Sequence, residues 1–422
     1  MVDILSLLKG NCLVAQSGGP TTVINSSAFG VIKEYMDKRE KEKILIGING
    51  IEGILNNQIY DADKLSMEEL GIMRYLPSAA MGSCRYKLKN IEDSSQEYEK
   101  IFSLFKTNNI KYFFYIGGND SMDAAKKLCD YAKAINFDIS IIGVPKTIDN
   151  DLVETDHCPG FPSTAKYVCN TAMELWMDTN TYNTSSIMVM EVMGRDAGWI
   201  AASSGLIKET IKDVNQLIYL PEIPFTAEKF LKDVEHKLNN DGKLLVVTSE
   251  GLKNSSGNYI NSETSCIEMD QFGHKQLGGI GKYLQTLIKQ NIEKKVKLIE
   301  LGVSQRCAMH CASKTDLDEA ELVGRDSVKY AIQGNTGFMV ALARIKSDEY
   351  KCSTKLVELK MVCNAVKEVP KDFINRDGFS INKKMIDYVS PLIVGEINNF
   401  DKNGLLKYID IKKSLERNNV KL

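Results

Sequence analysis

Ile139-Ser140-Ile141-Ile142-Gly143-Val144-Pro145-Lys146-Thr147-Ile148-Asp149-Asn150-Asp151 is the stretch on which the fold turns. Its first six residues form a short β-branched run that reads as a strand, Ile139 to Val144. At Pro145 the run stops and gives way to a lysine, a hydroxyl and two carboxylates two residues apart. In open parallel sheets, ligands bind beyond the carboxyl ends of the strands, where helix N-termini present free backbone N–H groups. A strand that empties directly into charged residues therefore predicts an architecture and a site together.

Reading outward, the same alternation continues on both sides. Upstream, Asn11 to Gln16, Lys43 to Ile48 and Lys111 to Ile116 read as strands, and Thr22 to Lys38, Ser95 to Thr107 and Ser121 to Ile135 as amphipathic helices. Downstream, a helix is expected over Ser163 to Met177, a strand over Ser186 to Glu191 and a helix over Gly198 to Ile207. Further strands are expected near Gln216 to Tyr219 and Lys243 to Thr248. Repeated βα units imply an α/β fold with a mainly parallel sheet. Polar segments at Asp61 to Glu69, Lys253 to Glu263 and Asp401 to Asn403 read as surface loops or insertions. There is no internal repeat at a solenoid period and no low-complexity tract.

The bulk numbers narrow the function classes. A chain of 422 residues, 43% hydrophobic and 26% charged, can bury a large core and is too long for one compact unit, so two domains are expected. Lys plus Arg total 53 against 55 for Asp plus Glu, a formal charge of -2, which provides no basic field for nucleic acid or a membrane surface. An anionic ligand must be met by a local site. The opening MVDILSLLKGNCLVAQSGG lacks a charged leader and a small-residue cleavage site, and no run approaches the roughly 20 apolar residues of a spanning helix. A soluble, cytoplasmic protein is expected. Ten cysteines without an export signal imply reduced thiols, and the grouping Cys307, His310 and Cys311 has no partner pair at zinc-site spacing.

The other chemistry-bearing motifs repeat the strand-end placement. Ser17-Gly18-Gly19-Pro20-Thr21-Thr22 stands between a strand and a helix, where glycines let the backbone approach an anion; plain chain reversal is the alternative. Gly117-Gly118-Asn119-Asp120-Ser121 closes a strand and opens a helix, with Asp120 placed to cap that helix and to work on a metal, roles that do not exclude each other. Met193-Gly194-Arg195-Asp196-Ala197-Gly198 offers a guanidinium that can hold a phosphate or pair with Asp196. Ser249-Glu250-Gly251 ends another strand, and Leu301-Gly302-Val303-Ser304-Gln305-Arg306 follows a further one. Asp149, Asp151, Lys146 and Thr147 are the parts needed to deprotonate an alcohol and stabilise a transferring phosphoryl group; a solvated polar turn is the alternative.

Taken in order, GGND, PKTIDND, MGRDAGW, SEG and LGVSQR resemble the phosphofructokinase family over roughly Asn11 to Gly334. The resemblance implies a phosphofructokinase-like α/β fold of two doubly wound lobes with the active site in the cleft. The donor lobe is expected to comprise 1–162 plus about 305–355, and the sugar-phosphate lobe 163–304 plus about 356–422. It implies a general base at Asp149, with Thr147 and Asp151 supporting substrate and metal. Sugar-phosphate contacts fall on Met193, Gly194, Arg195, Glu250 and Arg306, and donor contacts on Gly18, Gly19, Arg85 and Gly118. Mg²⁺ is the expected cofactor, at Asn119 and Asp120. A homodimer is expected, with Lys297 a substrate contact across the interface.

Two positions speak to the donor. Family members that use ATP carry Gly where this chain has Asp120 and Lys146, whereas the pyrophosphate-using branch carries Asp and Lys. A carboxylate at Asp120 would crowd and repel a nucleotide's α-phosphate, and Lys146 can neutralise the leaving phosphate. The implied reaction is reversible transfer from pyrophosphate to the 1-hydroxyl of fructose 6-phosphate, a glycolytic step. An ATP-dependent kinase, a longer ketose phosphate such as sedoheptulose 7-phosphate as acceptor, and a non-catalytic sugar-phosphate sensor are the alternatives. The chain departs from the family at neutral Asn119, at the GGPTTVIN loop, and at Ser186 and Val303, where many members place Arg and His or Tyr. Phe29 replaces an arginine of allosterically regulated members, so no effector site of that kind is expected.

Overall fold

The computed structural model describes residues 10–181, 183–260, 279–293 and 295–418. Its strands are β1 (Asn11–Gln16), β2 (Ile44–Gly47), β3 (Ile59–Asp61), β4 (Ile110–Gly117), β5 (Ser140–Pro145), β6 (Ser186–Val192), β7 (Gln216–Tyr219), β8 (Lys243–Ser249), β9 (Val296–Glu300), β10 (Phe338–Ile345) and β11 (Lys351–Glu358). They form two sheets, one in the order β11-β10-β5-β4-β1-β2-β3 and the other in the order β7-β8-β6-β9. In the first, β2, β1, β4, β5 and β10 run parallel, while β3 and β11 close the two edges antiparallel. The second sheet is parallel throughout.

Residue alternation explains why the strands read as continuous apolar runs. In β4, Tyr112, Phe114 and Ile116 enter the core on one face and Phe113 and Tyr115 the core on the other. In β6, Met188, Met190 and Val192 face one core, and Ile187 and Val189 the opposite one. Each sheet is thus covered on both sides, which gives the two doubly wound α/β lobes expected from the sequence.

Helix contacts bring distant sequence together. The helix Ile24–Lys38 packs on the helix Lys314–Ile332 through facing glycines. A methyl on Gly30 would lie 2.3 Å from the carbonyl oxygen of Glu321, and one on Gly324 would lie 2.1 Å from that of Ser27. The helix Phe161–Thr179 is anchored by Asp316 of the Lys314–Ile332 helix. Its carboxylate accepts from the backbone N–H groups of Gly160 at 2.9 Å and Ser163 at 3.0 Å, and from the Ser163 hydroxyl at 2.5 Å. One buried carboxylate therefore satisfies the open donors at that helix N-terminus.

The structure departs from the sequence reading in several places. Asp61 to Glu69 is not a loop. It ends β3, forms a 3₁₀ turn at Ala62–Lys64 and starts the helix Met67–Met73, whose Ser66 and Glu69 make a reciprocal capping box. That Ser-x-x-Glu signal is local and was outweighed by the polarity of the stretch. The helix expected over Gly198 to Ile207 is α-helical only at Trp199–Ser203 and continues as 3₁₀ to Glu209. Of the expected loop Lys253 to Glu263, residues 261–263 lie outside the described residues.

The chain beyond 356 is also shared between lobes rather than given to the second alone. β11 ends at Glu358 in the first sheet, and Ile411 and Leu415 join the first lobe's core, whereas Val369, Met385 and Leu392 join the second's. Among the described residues, no helix is long and apolar enough to cross a membrane, and no three His, Cys, Asp or Glu side chains cluster to hold a metal.

Candidate active site

The carboxyl ends of β1, β4, β5, β6, β8 and β9 converge on one cleft of about 710 Å³. It is lined by the turns that follow them, from Gly18 and Gly19 to Arg306. Of the site residues expected from sequence, Gly18, Gly19, Arg85, Gly118, Asn119, Asp120, Lys146, Thr147, Asp149, Asp151, Met193, Arg195, Glu250 and Arg306 all line it. Gly194 stands just behind, where its backbone N–H donates to Glu250 Oε1 at 3.4 Å. Lys297 lies elsewhere, on the edge strand β9, half-exposed and paired with Asp178 at 2.6 Å.

The first turn needs its glycines. Gly18 has φ +77, a left-handed conformation that side chains disfavour, and a methyl there would come within 3.2 Å of Lys146 Nζ. A methyl on Gly19 would lie 3.3 Å from the Arg306 guanidinium. Two cations, one after β5 and one after β9, thus approach the same bare backbone, as anion binding requires.

At the end of β5, Lys146 is buried and donates to the Gly19 carbonyl at 2.6 Å. Burial pushes its pKa down to about 8, with the nearby charges of Asp151 and Asp149 opposing that and those of Arg306 and Arg85 adding to it. Asp149 Cα is placed by a turn in which its backbone N–H donates to Thr147 Oγ1 at 3.1 Å. Burial, and then the like charge of Asp151, raises the Asp149 carboxyl well above the usual carboxylate range. Asp151 is raised by burial as well, and its Oδ1 is enclosed without a protein hydrogen-bond partner.

On the opposite wall, Arg195 Nε pairs with Asp196 Oδ2 at 2.8 Å, and Asp196 also takes Lys253 at 3.3 Å and the Tyr259 hydroxyl at 2.6 Å. Arg195 thus makes the Asp196 pair that was one of its two sequence alternatives, and it also lines the cleft. Glu250 is pushed up to about 8 by burial, then by the charges of Asp149 and Glu191. Gln305 fixes the MGR turn by accepting from the Met193 N–H at 3.1 Å.

The GGND turn resolves differently from the sequence reading. The helix Asn119–Ala134 has Gly118 at its N-cap, with no side-chain cap, and Asp120 in its first turn. Asn119 turns its amide to a segment far along the chain, donating to the Ala365 carbonyl at 2.6 Å and accepting from the Asn364 N–H at 2.7 Å. Sequence reasoning missed Lys87, Asn364 and Val366, which also line the cleft. Lys87 had a weak signal, two residues beyond Arg85. The other two arrive from more than two hundred residues downstream with no local mark.

The enclosed, unpartnered Asp151 Oδ1 suits a hard divalent cation that takes oxygen ligands. A buried base facing a ring of Lys146, Arg85, Arg195 and Arg306 can take a proton from an alcohol while charge on phosphate is neutralised.

Comparison with known proteins agrees with this chemistry. The phosphofructokinase family model matches residues 11–328. A pyrophosphate--fructose 6-phosphate 1-phosphotransferase of Xanthomonas campestris pv. campestris is 39% identical over 409 residues, covering 96% of this chain and 97% of its own. One from Halomonas elongata is 39% identical over 410 residues, covering 96% and 97%. The crystal structure of a pyrophosphate-dependent phosphofructokinase from Nitrosospira multiformis superimposes with a TM-score of 0.85 at 37% identity, covering 95% of this chain and 96% of that one. With the strand-end motifs, the two-lobed fold and the cleft between them all in agreement, the chain belongs to the phosphofructokinase family.

Proposed function

We propose that this protein transfers a phosphoryl group reversibly from pyrophosphate to the 1-hydroxyl of fructose 6-phosphate, giving fructose 1,6-bisphosphate and phosphate. The observation that carries the reading is Lys146, buried between Asp149 and the Gly19 backbone, at the end of the cleft that Asp120 also lines. Asp149 accepts the proton of the sugar hydroxyl, the freed oxygen attacks the terminal phosphorus of pyrophosphate, and the P–O bond to the leaving phosphate breaks. Lys146 and Arg85 neutralise the leaving phosphate. Thr147 orients Asp149, and Met193, Gly194, Arg195, Glu250 and Arg306 hold the sugar phosphate.

The family uses a divalent metal, and Mg²⁺ is the ion we assign. Asp120 and the unpartnered oxygen of Asp151 would hold it, and Asn119, whose amide is engaged with residues 364 and 365, would do so only through a remaining lone pair. When bound, it would polarise the phosphate oxygens. The donor sits on the lobe of the first sheet and the sugar on the other. We further assign a homodimer, supported by the outward-facing edge strand β9, on which Lys297 and Ile299 are exposed.

A matrix of donors and acceptors tests this reading: pyrophosphate, ATP and polyphosphate against fructose 6-phosphate and sedoheptulose 7-phosphate, each with Mg²⁺. Pyrophosphate with fructose 6-phosphate should turn over fastest. The double variant Asp120→Gly with Lys146→Gly should lose pyrophosphate turnover and gain use of ATP; a wild-type preference for ATP would refute the donor assignment.

A further inference from the structure

Between the helix Leu359–Val362 and the 3₁₀ turn Lys371–Phe373, the chain crosses from one lobe to the other as an irregular strap. Residues Asn364 to Val369 of that strap meet three of the segments that build the cleft, at the GGND, TIDND and MGRDAG turns. At its start, Asn364 and Ala365 are held by Asn119 of the GGND turn. At its end, the Val369 N–H donates to Glu222 Oε1 at 2.9 Å, and the same oxygen accepts from Gly198 of the MGRDAG turn at 2.8 Å. The adjacent Trp199 donates its indole N–H to the Lys367 carbonyl at 2.7 Å.

The middle of the strap meets the TIDND turn. The Lys367 N–H donates to the Asp151 carbonyl at 2.8 Å. Its ammonium has three protons and three acceptors: the Asp156 carbonyl at 2.9 Å, the Thr155 carbonyl at 3.2 Å and Asn150 Oδ1 at 3.3 Å. The Trp199 ring lies beside it at 5.3 Å.

These acceptors belong to a loop, Asn150 to Asp156, that has no ladder or helix to satisfy it and that twice adopts a left-handed backbone, at Asn150 with φ 55 and Glu154 with φ 64. Inward-facing carbonyls in such a loop need donors from elsewhere, and a lysine ammonium is the one side-chain group that directs three of them from a single point. Asn150 itself is fully buried, accepts from the Cys158 N–H at 2.9 Å and donates to the Tyr388 hydroxyl at 2.8 Å. It stands between Asp149 and Asp151 in sequence, so its placement is theirs.

We propose that Lys367 is a positioning residue for phosphoryl transfer: its ammonium braces the Asn150–Asp156 loop from behind and so sets where Asp149 and Asp151 stand in the cleft. The inference rests on the assignment of Asp149 as the base. Lys367 does not line the cleft, so its loss should act on the transfer step and leave substrate binding nearly unchanged. A displacement near 1 Å at the reacting groups costs on the order of 10²-fold in rate.

The test uses the full-length protein with pyrophosphate, fructose 6-phosphate and Mg²⁺. Lys367→Met, which keeps the apolar stem and removes the donors, should lower kcat by about 30- to 100-fold with each KM within about threefold of wild type. Lys367→Ala should lose a similar amount and recover at least about tenfold when ethylamine is added, saturably, because a small ammonium can reoccupy the position. Should the methionine variant fail to fold, Lys367→Gln, with two N–H donors for three acceptors, is judged by the same criteria. A folded variant with kcat within about threefold of wild type, a loss confined to KM, or no response to ethylamine overturns the proposal. Wild-type protein that does not use pyrophosphate would instead strike at the function assigned above.

Discussion

Lys146 donates to the backbone carbonyl of Gly19 at 2.6 Å, joining the turn after β5 to the turn after β1. This tether holds a buried ammonium close against Gly18, where an added methyl would lie 3.2 Å from it. The lysine is thus positioned before any phosphate arrives, so little reorganisation is needed at the moment of transfer.

Replacing that ammonium should therefore cost rate. Lys146→Met is expected to lower kcat with pyrophosphate by about 10²- to 10³-fold, the scale for removing one preorganised donor to a developing charge. Steady-state kinetics on variant protein with a wild-type circular dichroism spectrum check it, and a loss below about fivefold would contradict the role.

The acid limb of the pH profile should report Asp149. A base must be deprotonated to act, and burial together with the charge of Asp151 raises the carboxyl of Asp149. Activity should consequently fall as pH drops at values clearly above the roughly 3.9 of a free aspartate. In Asp151→Asn the like charge is gone, and the residual kcat/KM should decline at lower pH than in wild type. An acid limb that does not move, measured from pH 4 to 8, would separate it from this carboxylate pair.

His157 predicts a stability change on the alkaline side. It is buried, with Nδ1 2.9 Å from Asp156 and Nε2 2.7 Å from Glu319. Burial alone would lower its pKa, but the hydrogen bonds to Asp156 and Glu319 and their charges outweigh it and push it up to about 9. Because the folded value lies above the ordinary 6.5, the stabilisation is complete below pH 6.5 and is lost as pH rises through about 9. Urea midpoints between pH 6 and 9.5 should fall for wild type and change less for His157→Gln.

The contact between Gly30 and Gly324 predicts a steric effect. Gly324→Val would drive a branched side chain into the Ser27 carbonyl, already 2.1 Å from a simple methyl, and separate the helices Ile24–Lys38 and Lys314–Ile332. A loss of about 3 kcal/mol or more is expected from overpacking of this kind. Chemical denaturation measures it; an unchanged midpoint would show that the helices can part without cost.

Much of the site was legible because its residues sit in short motifs at strand ends. A β-branched run fixes a buried strand locally, and in a parallel sheet the turn after such a strand faces the ligand crevice, so Gly18, Asp120, Lys146, Asp149, Arg195 and Glu250 could be placed without knowing how the lobes pack. The helix Met67–Met73 shows the limit of that reading, since its capping box lay within a stretch whose polarity suggested a loop.

What the sequence determined by itself was the set of strand-end groups and their chemistry, because both depend on backbone geometry within a few residues. Only the tertiary structure decided that Arg306 faces Gly19, that Asn119 grips Asn364 and Ala365, and that Lys367 braces the loop behind Asp149. Those pairings join segments more than two hundred residues apart, and a contact made by chain return has no period, cap or turn residue to announce it.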